Sequence, residues 1–359
     1  MEKELKEYFG VGGLHLVSSG QAALYLILEA LKSLSPRRDV VIPAYTCFSV
    51  PAAVTRAGLR IRLCDVDSMT FDFDHDLLAR AVDGDTLCVV ATHLFGIPAD
   101  VDRIMRLCAD RGASVVEDAA QAMGGRRNGK PLGTIAHAGF FSLGRGKNIT
   151  CGSGGIAVTH AAEIAAAMDH VYAGLPKPTL PQTLGDFLRV LALSACIRPA
   201  LYWLPAGLPF LRLGQTVFDP DFPVRRLSGV KAGLLRRWRR RLEASNSARA
   251  RSGRYFDTAL RRARSETTPY LRFPLLMESR EERARTHAAL RQRGASLMYP
   301  TPISDIPEIR WAFDGSRFPV AERIADTLMT FPTHEFVSDS DRQNILHHLS
   351  RQQAGRTST

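Results

Sequence analysis

The first half of the chain alternates short apolar runs with helical patterns, and this alternation limits the possible folds more than any other feature of the sequence. Four runs are typical of buried β-strands: 39–44 (DVVIPA), 59–67 (LRIRLCDVD), 86–96 (TLCVVATHLFG) and 113–122 (ASVVEDAAQA). Two more strand-like runs, HAGFFSLG and GGIAVT, follow them, and helical patterns occur at 21–34 and 98–112. This order predicts an α/β fold with a mainly parallel sheet and helices on both of its faces.

The second half of the chain has a different pattern. Residues 176–222 are rich in proline, leucine and aromatic residues, and a basic helical segment follows them. Further on, 270–277 is strand-like, 281–293 is helical, and the end reads as a helix, LMTFP and a second helix. With 359 residues, 45% of them hydrophobic, the chain can form a large domain and a smaller one. We predict a large domain over 1–175, an insertion over 176–222, and the basic helix with a small α+β domain over 223–359.

Basic residues outnumber acidic ones, and the formal net charge of +11 is unevenly distributed, with an arginine-rich segment at 225–254. Such a segment could meet nucleic acid, an anionic membrane or an acidic substrate, although a solvated helix face is the more ordinary explanation. No RNA- or DNA-binding signature accompanies the segment, so we predict no nucleic-acid partner.

The six cysteines are scattered without a Cys-x-x-Cys pair, which favours reduced thiols over disulfides or a zinc site. We therefore predict no metal centre. The chain opens with MEKELKEYFG, whose charges are atypical of a secretory signal peptide. These features together predict a cytoplasmic protein.

The segment SSGQAAL places Ser18, Ser19 and Gly20 directly before a predicted helix. The free main-chain N–H groups of a helix N-terminus can bind an anion, and small residues allow the anion to approach closely. The alternative is an ordinary serine N-cap, which is the simpler interpretation of this segment taken alone.

Polar residues also end two predicted strands, at the edge where open α/β sheets bind ligands. Asp118 ends VVED and suits a ring nitrogen that must stay protonated, with a helix cap for AAQAMG as the alternative. Gln121 lies one turn further on and can point at the same ligand. Ser142 ends FFS and can donate to a phosphate. Lys147 follows on a glycine-rich loop, either as an exposed turn lysine or as an amine that forms a Schiff base.

Taken together, these residues match the needs of one cofactor, pyridoxal phosphate (PLP). PLP requires a phosphate cup, an acid opposite its pyridine nitrogen and a lysine for its aldehyde. The sequence contains neither a GxxxxGK[ST] motif nor a GxGxxG motif after its first predicted strand, which argues against two other phosphate-binding folds. The sequence therefore predicts a PLP site that includes Lys147, Asp118 and Ser142.

The order of the motifs resembles that of the DegT/DnrJ-type sugar aminotransferases, a branch of the aspartate-aminotransferase-like, fold-type I PLP enzymes. The resemblance covers about 18 to 334 and rests on SSGQAALYL, VIPAYTCFSVPAAV, CDVD, THLFGIPADVD, VVEDAAQAMGGRRNGKPLG, AGFFSLGRGKNITCGSGGIAVT, LSGVKAGLL and FPVAERIADTLMTFPTH. It implies an aspartate-aminotransferase-like large domain with a smaller C-terminal domain. It also implies a PLP-dependent aminotransferase acting in sugar or polysaccharide biosynthesis.

The resemblance further implies roles for individual residues. Lys147 corresponds to the lysine that binds PLP covalently and moves a proton during the reaction. Asp118 corresponds to the partner of the ring nitrogen and Gln121 to the neighbour of the ring hydroxyl. The implied phosphate contacts are Gly20, Gln21 and Ser142. Family members are usually homodimers with active sites at the subunit interface, and they pass an amino group from glutamate to a keto-sugar carried on a nucleotide.

Three positions depart from the family pattern. Ser153 stands in GSGG where the family usually has a carboxylate, and Val224 stands where an asparagine reaches the neighbouring subunit's cofactor. Cys47 replaces an aromatic residue, which leaves Tyr45 or Phe48 to cover the cofactor ring. Two alternatives therefore stay open. One is a PLP enzyme that eliminates or transfers an amine to a non-sugar carbonyl, and the other is a PLP-binding scaffold without activity.

The insertion contains an uncharged stretch between Arg198 and Arg212 that includes Tyr202, Trp203 and Phe210. It is too short to span a bilayer, which requires ~20 apolar residues. Packing against a partner subunit is our main interpretation. The alternative is peripheral docking on an anionic membrane beside the basic segment, which would suit a lipid-linked acceptor.

Overall fold

The computed structural model describes residues 1–196, 217–261 and 268–354. The strands in chain order are β1 Gly13–Val17, β2 Asp39–Pro43, β3 Arg60–Cys64, β4 Thr86–Thr92, β5 Ser114–Asp118, β6 Arg126–Arg127, β7 Lys130–Pro131, β8 Ala138–Ser142, β9 Gly155–Thr159, β10 Arg272–Leu276 and β11 Leu328–Pro332. The helices are α1 Glu2–Phe9, α2 Gly20–Leu34, α3 Ser49–Arg56, α4 His75–Ala81, α5 Val101–Ala109, α6 Ala162–Ala173, α7 Leu180–Cys196, α8 Gly229–Leu234, α9 Trp238–Ala259, α10 Arg280–Leu290, α11 Pro319–Thr327 and α12 Asp339–Ala354.

Among the described residues, seven strands form the central sheet, in the order β1-β9-β8-β5-β4-β2-β3. The pairs from β3 to β8 are parallel, whereas β9 is antiparallel to both of its neighbours, β8 and β1. The prediction of a mainly parallel sheet is therefore confirmed. Edge strand β1 is not among the predicted strands, because its five residues lack the long apolar run that marks the central ones.

Helices cover both faces of the sheet, as predicted. Neighbouring residues of β5 point to opposite faces because strand side chains alternate. Val115 packs in one buried cluster with Ile104 and Cys108 of α5, whereas Val116 packs in another with Leu24 of α2. Both clusters consist of fully or nearly fully buried side chains, which explains why these strands are apolar throughout rather than alternating.

The C-terminal part contains a separate two-stranded sheet. Strands β10 and β11 pair in antiparallel fashion. In the sequence, α10 and α11 lie between the two strands, and α12 follows β11. The predicted order of helix, LMTFP strand and helix at the end of the chain is confirmed. The predicted domain boundaries at 175 and 222 stay predictions.

Glu117, the residue before the predicted site residue Asp118, organises the opposite face of the sheet. It is fully buried, and its carboxylate accepts hydrogen bonds from His93 Nε2 (2.8 Å) and from the main-chain N–H groups of Gly133, Ile135 and Ala136. His93 Nδ1 accepts from the Ala99 N–H (3.0 Å), so the proton of this imidazole is on Nε2 and points at Glu117. The network fixes the strand ends on either side of Asp118.

Two further features bear on the sequence predictions. Residues Tyr202, Trp203 and Phe210, on which the membrane-docking alternative rests, lie outside the described residues. None of the helices in the described parts of the chain is both long and apolar enough to cross a membrane.

Candidate active site

The predicted site residues lie around one edge of the central sheet, at the carboxyl ends of β5 and β8. Asp118 is the last residue of β5 and Ser142 the last residue of β8. Helix α2 begins at Gly20, directly after β1 and next to the end of β8. An open α/β sheet binds its ligands at this edge, where loops leave neighbouring strands in different directions.

The start of α2 forms a small concave surface against Ser142. Ser19 Oγ accepts a hydrogen bond from the Ala22 N–H (3.1 Å), so the predicted N-cap exists. The main-chain N–H groups of Gly20 and Gln21 occupy the first helical positions, which have no carbonyl partner within a helix. A Cβ at Gly20 would lie 3.1 Å from Ser142 Cβ, so glycine keeps this space open. The serine cap and the anion site are compatible in the same turn.

Asp118 is a buried carboxylate with few partners. Among the described residues, one hydrogen bond reaches its side chain, from the Ala120 N–H to Oδ1 (3.0 Å). This contact is the local cap that the sequence offered as the alternative role. Burial raises the pKa of Asp118, while the Ala120 N–H and the positive charge of Lys147 act in the opposite direction. The carboxylate is thus poorly compensated and would be stabilised by a cationic ligand.

Lys147 lies on the loop that connects β8 to β9. Its side chain is half-buried, and its charge is close enough to Asp118 to influence the pKa of that carboxyl group. The loop has no regular secondary structure, and Gly146 adopts a positive φ of 75° that favours glycine. The loop leaves the carboxyl end of β8, at the same edge of the sheet as Asp118, so Lys147 lies half-buried at this edge rather than on a fully exposed turn.

Gln121 uses both ends of its amide in protein contacts. Its Oε1 accepts from the Phe95 N–H (3.0 Å) and its Nε2 donates to the hydroxyl of Tyr299 (2.8 Å). Burial raises the pKa of the Tyr299 hydroxyl well above its usual value, with nearby Cys47 and Asp118 adding to the effect. Tyr299 therefore joins the site from the C-terminal part of the chain.

Tyr299 is a site residue that the sequence reasoning missed. It lies 178 positions after Gln121, and no motif of the sequence singles it out. The two predicted ring-covering candidates contact it: Tyr45 donates to the Tyr299 carbonyl (3.2 Å), and the Phe48 ring lies at 26° to the Tyr299 ring with 6.5 Å between centroids. Cys47, which replaces the family's aromatic residue, lies beside the hydroxyl group of Tyr299.

Ser153, which replaces the family's carboxylate, contacts a buried ion pair. Lys231 Nζ donates to Ser153 Oγ (2.9 Å) and forms an ion pair with Asp186 of α7 (2.8 Å). Asp186 also accepts from Ser228 Oγ (2.8 Å). Although burial acts in the opposite direction, the hydrogen bonds from Lys231 and Ser228 lower the pKa of Asp186. Lys231 thereby links helix α7 to the loop that follows Lys147.

The segment around Val224 runs past the start of α2. Ser18 Oγ donates to the Pro223 carbonyl (2.7 Å), and the Ser18 N–H donates to the Arg225 carbonyl (2.9 Å). Arg226 donates to main-chain carbonyls at the end of α6, and its guanidinium lies 4.6 Å from the Tyr172 ring centroid. Within this chain, Arg226 therefore serves the anchoring of that segment.

The residues present fit the PLP that the sequence predicts. The open space between Gly20 and Ser142 offers N–H and hydroxyl groups to a phosphate. The under-compensated carboxylate of Asp118 suits a protonated ring nitrogen, and Lys147 supplies the amine. Glu117, the neighbouring acid on β5, is not part of this set, since four hydrogen bonds from the protein already satisfy its carboxylate.

Part of the chain is similar to curated enzymes of sugar metabolism. It is 34% identical over 165 residues to UDP-N-acetyl-3-dehydro-alpha-D-glucosamine 3-aminotransferase from Acidithiobacillus ferrooxidans, covering 46% of this chain and 44% of that protein. It is 33% identical over 168 residues to GDP-4-keto-6-deoxy-D-mannose 3-dehydratase from Yersinia pseudotuberculosis, covering 45% and 43%. The chain thus spans less than half the length of these two relatives.

Likeness to solved structures extends over nearly the whole chain. Spr1654 from Streptococcus pneumoniae in its PLP form superposes with a TM-score of 0.75 at 22% identity, covering 97% of this chain and 88% of that one. This likeness establishes the shared fold, and the predicted aspartate-aminotransferase-like fold class is confirmed. The sequence model of one family matches residues 1–190, more than half of the chain. The chain therefore belongs to the DegT/DnrJ/EryC1/StrS aminotransferase family.

Proposed function

We propose that this chain is a PLP-dependent aminotransferase that moves an amino group from an amino acid, with glutamate as the expected donor, to a keto-sugar or a related carbonyl in sugar or polysaccharide biosynthesis. The observation that carries the proposal is the convergence of Asp118, Lys147 and the N-terminus of α2 at one edge of the sheet. Membership in this family supports PLP as the cofactor, because the aminotransferases of the family use PLP.

PLP, when bound, supplies an aldehyde that condenses with amines and a cationic ring that withdraws electrons from the carbon that loses its proton. Lys147 would hold the cofactor through its Nζ amine, and the same amine would act as the base that takes the proton from the donor's Cα. The negative charge of Asp118 would favour the protonated form of the ring nitrogen. Gly20, Gln21 and Ser142 would bind the phosphate.

Gln121 and Tyr299 shape the wall of the proposed site. Their mutual hydrogen bond joins the segment after β5 to the C-terminal part of the chain. The Tyr299 hydroxyl is protonated at neutral pH, as an ordinary tyrosine is, and burial raises its pKa further, so it can donate to a ligand oxygen. We propose that this pair orients the cofactor on the side of its ring hydroxyl.

Covalent trapping tests the proposal. The purified holoenzyme is reduced with borohydride and digested, and the PLP adduct is expected on the peptide that contains Lys147. Lys147→Ala should lose both the adduct and the yellow colour, whereas the exposed Lys130→Ala is the matched control and should keep both. An adduct on a different lysine in the wild-type protein would refute the proposed site.

The acceptor is proposed to be a keto-sugar that is linked to a nucleotide or to a lipid. Support comes from the Acidithiobacillus relative, whose name describes a UDP-linked sugar with a keto group at position 3. Glutamate is expected to convert bound PLP to its amine form with release of 2-oxoglutarate, and the correct keto-sugar should regenerate PLP. A screen of free, nucleotide-linked and lipid-linked keto-sugars against the amine form identifies the acceptor.

A second candidate function is the elimination of water from a sugar. The Yersinia relative is named a dehydratase and matches a similar share of the chain, so the same fold and family accommodate this reaction. A dehydratase would form a deoxy-sugar product, whereas an aminotransferase forms an amino-sugar together with one 2-oxoglutarate for each product. Mass spectrometry of the product separates the two reactions, and a protein that forms neither product with any donor would be a scaffold.

We propose that the protein is a homodimer and that α7 takes part in the interface. Leu180, Leu184 and Leu188 share one face of α7 and have exposed fractions of 85, 59 and 56%, which is unusual for leucines spaced four apart. Leu184→Glu should shift the molar mass from light scattering from dimer to monomer, with Lys177→Glu as the exposed control. A wild-type monomer at micromolar concentration would refute the proposal.

Peripheral membrane contact is the competing proposal for the insertion. Flotation with anionic and neutral vesicles tests it, because docking beside a basic segment requires anionic lipid and weakens with salt. Wild-type protein should float with anionic vesicles at low salt, and the Trp203→Ser, Phe210→Ser double variant should not. Absence of wild-type binding would assign the insertion to the subunit interface.

A further inference from the structure

Helix α9 contacts the loop that carries Lys147. Arg249 Nη2 lies 3.4 Å from the carbonyl oxygen of Gly146 and 3.5 Å from that of Lys147, within reach of weak hydrogen bonds to both. The loop itself has no regular secondary structure, and these contacts join its main chain at Gly146 and Lys147 to a separate helix.

Asn246 lies one turn earlier on the same face of α9, three positions before Arg249. Its Oδ1 accepts from Asn148 Nδ2 (2.8 Å), and its own Nδ2 donates to the Met123 carbonyl (2.9 Å). Asn246 thus joins the residue after Lys147 to the segment that follows Gln121. Two side chains of one helix face therefore hold the loop on both sides of the lysine.

The Nη1 atom of Arg249 forms shorter hydrogen bonds than the Nη2 atom that faces the loop. Nη1 donates to the Leu271 carbonyl (2.6 Å) and to Thr333 Oγ1 (3.2 Å), and Nε donates to Ser245 Oγ (3.3 Å). Leu271 and Thr333 lie beside β10 and β11, so the guanidinium connects the C-terminal sheet to the lysine loop.

Burying this guanidinium has an energetic cost. Arg249 is 4% exposed and, among the described residues, forms no ion pair with a carboxylate. Burial lowers its pKa to about 10, with the charge of Glu335 acting in the opposite direction. A methionine or leucine would fill the same space without the cost of desolvating a charge. Its presence here indicates a use for directed hydrogen bonds.

The basic segment of the sequence therefore has two different faces. Arg240, Arg251 and Arg254 are exposed, as the interpretation of a solvated helix face predicts. Arg249 and Asn246 point inward toward the loop. The hypothetical partners of the segment, nucleic acid or membrane, do not account for the inward pair.

We propose that α9, through Arg249 and Asn246, is a positioning element that fixes the Lys147 loop so that the lysine amine stays directed toward Asp118. The inference rests on the proposed function of Lys147. Arg249 acts through the main chain of Gly146 and Lys147 and contacts no reacting atom. The helix also makes the geometry of the loop depend on the packing of β10 and β11, because Arg249 is bonded to both regions.

Hydrogen–deuterium exchange of the cofactor-free protein tests the positioning directly. In Arg249→Met, the peptide that covers 143–151 should exchange about tenfold faster than in the wild type, which corresponds to the loss of charge-assisted hydrogen bonds. Arg254→Met, on the exposed face of the same helix, should leave the exchange of that peptide unchanged. Unchanged exchange in a folded Arg249→Met protein overturns the inference.

The holoenzyme provides the second readout. In Arg249→Met, the saturating rate of amine uptake from glutamate should fall about tenfold, while the half-saturating glutamate concentration stays close to the wild-type value. Arg249→Lys should restore part of the rate, because it returns a donor. A variant that loses thermal stability but keeps the wild-type saturating rate would show a purely structural role and overturn the inference.

Two features keep the test decisive. If Arg249→Met does not fold, Asn246→Ala decides, because it removes only the contact to Asn148 and the Met123 carbonyl, and it should produce the same faster exchange and slower saturating rate. If wild-type protein carries no cofactor on Lys147, the proposed function fails by its own trapping experiment. The exchange measurement on the cofactor-free protein is then still interpretable for the loop contacts.

Discussion

Glu117 and Asp118 are adjacent acids on β5 that point to opposite faces of one strand, and they differ in how many partners satisfy them. Glu117 receives four hydrogen bonds, three of them from main-chain N–H groups. Asp118 receives one hydrogen bond among the described residues and lies near a lysine charge without a direct ion pair.

We propose that this difference in hydrogen bonding separates a structural acid, Glu117, from a functional one, Asp118. A buried carboxylate that is saturated by its own chain has no capacity left for a ligand, and its removal leaves several donors without acceptors. A buried carboxylate with spare capacity is costly in the empty protein and is retained where a ligand compensates it. Burial alone does not distinguish the two residues, because both are almost inaccessible to solvent.

The largest expected effect is that of Asp118→Asn on catalysis. The amide keeps the shape of the side chain but removes the charge that holds the ring nitrogen protonated, so PLP should still bind. The rate of the half-reaction with glutamate should fall roughly 10²- to 10³-fold, as for other lost electrostatic stabilisers. Single-turnover absorbance measurements provide the check, and wild-type kinetics in this variant would exclude the role.

Glu117→Gln should have the opposite profile. Each carboxylate oxygen of Glu117 accepts two hydrogen bonds, so two N–H donors would face the new amide NH₂ group, which costs about 3 kcal/mol of the free energy of unfolding. Urea unfolding of the cofactor-free protein measures the loss. The folded fraction should retain a half-reaction rate within a few-fold of the wild type, and a loss as large as that of Asp118→Asn would erase the distinction between the two acids.

The strands and their order of appearance could be predicted because buried parallel strands are continuous apolar runs. The same runs end in Asp118 and Ser142, and the topology of an α/β sheet brings such ends to one edge. The site residues from Gly20 to Lys147 could therefore be predicted, because they lie within about 130 residues of sequence and follow recognisable strands. Edge strand β1 could not be predicted in this way, because its five residues are too few to form a long apolar run.

The contributions of Tyr299 and Arg249 could not be predicted from the sequence. Each belongs to a segment that reaches the site only through tertiary packing, and a single tyrosine or arginine in a helix or loop has no periodicity that marks its direction. The arginine-rich pattern of α9 predicts a solvent-exposed helix face, and most of its arginines are indeed exposed. The inward direction of Arg249 depends on the fold that places α9 against the lysine loop.

The third acid, Asp186, is intermediate between the two acids of β5, because one cation and one hydroxyl satisfy it. Asp186→Asn leaves Lys231 buried without its counter-ion and should cost about 2 kcal/mol of the free energy of unfolding. Lys231→Met should cost a similar amount, and the double variant less than the sum, since neither charge is then left alone. Additive losses in a denaturation cycle would show that the ion pair is not coupled. The loss in free energy of unfolding caused by each single variant should become smaller as the pH falls through the lowered pKa of Asp186. The protonated acid then no longer forms an ion pair with Lys231 in the wild type.

The smallest expected effect sharpens the contrast within β5, because Asp118→Asn should stabilise the cofactor-free protein while it slows catalysis. The pKa of Asp118 is raised by burial, so the folded state binds its proton more tightly than the unfolded state does. The stability of the wild-type protein therefore falls as the pH rises from the unfolded pKa through the raised pKa, and it stays lower above that range. Asparagine lacks this titration, so its melting temperature at pH 8 should exceed that of the wild type by a few degrees, and the two should converge near pH 4. Addition of PLP should reverse the order, because the cationic ring compensates the carboxylate only in the wild type. If Asp118→Asn melts below the wild-type cofactor-free protein at pH 8, Asp118 is a structural acid like Glu117, and the contrast between the two residues fails.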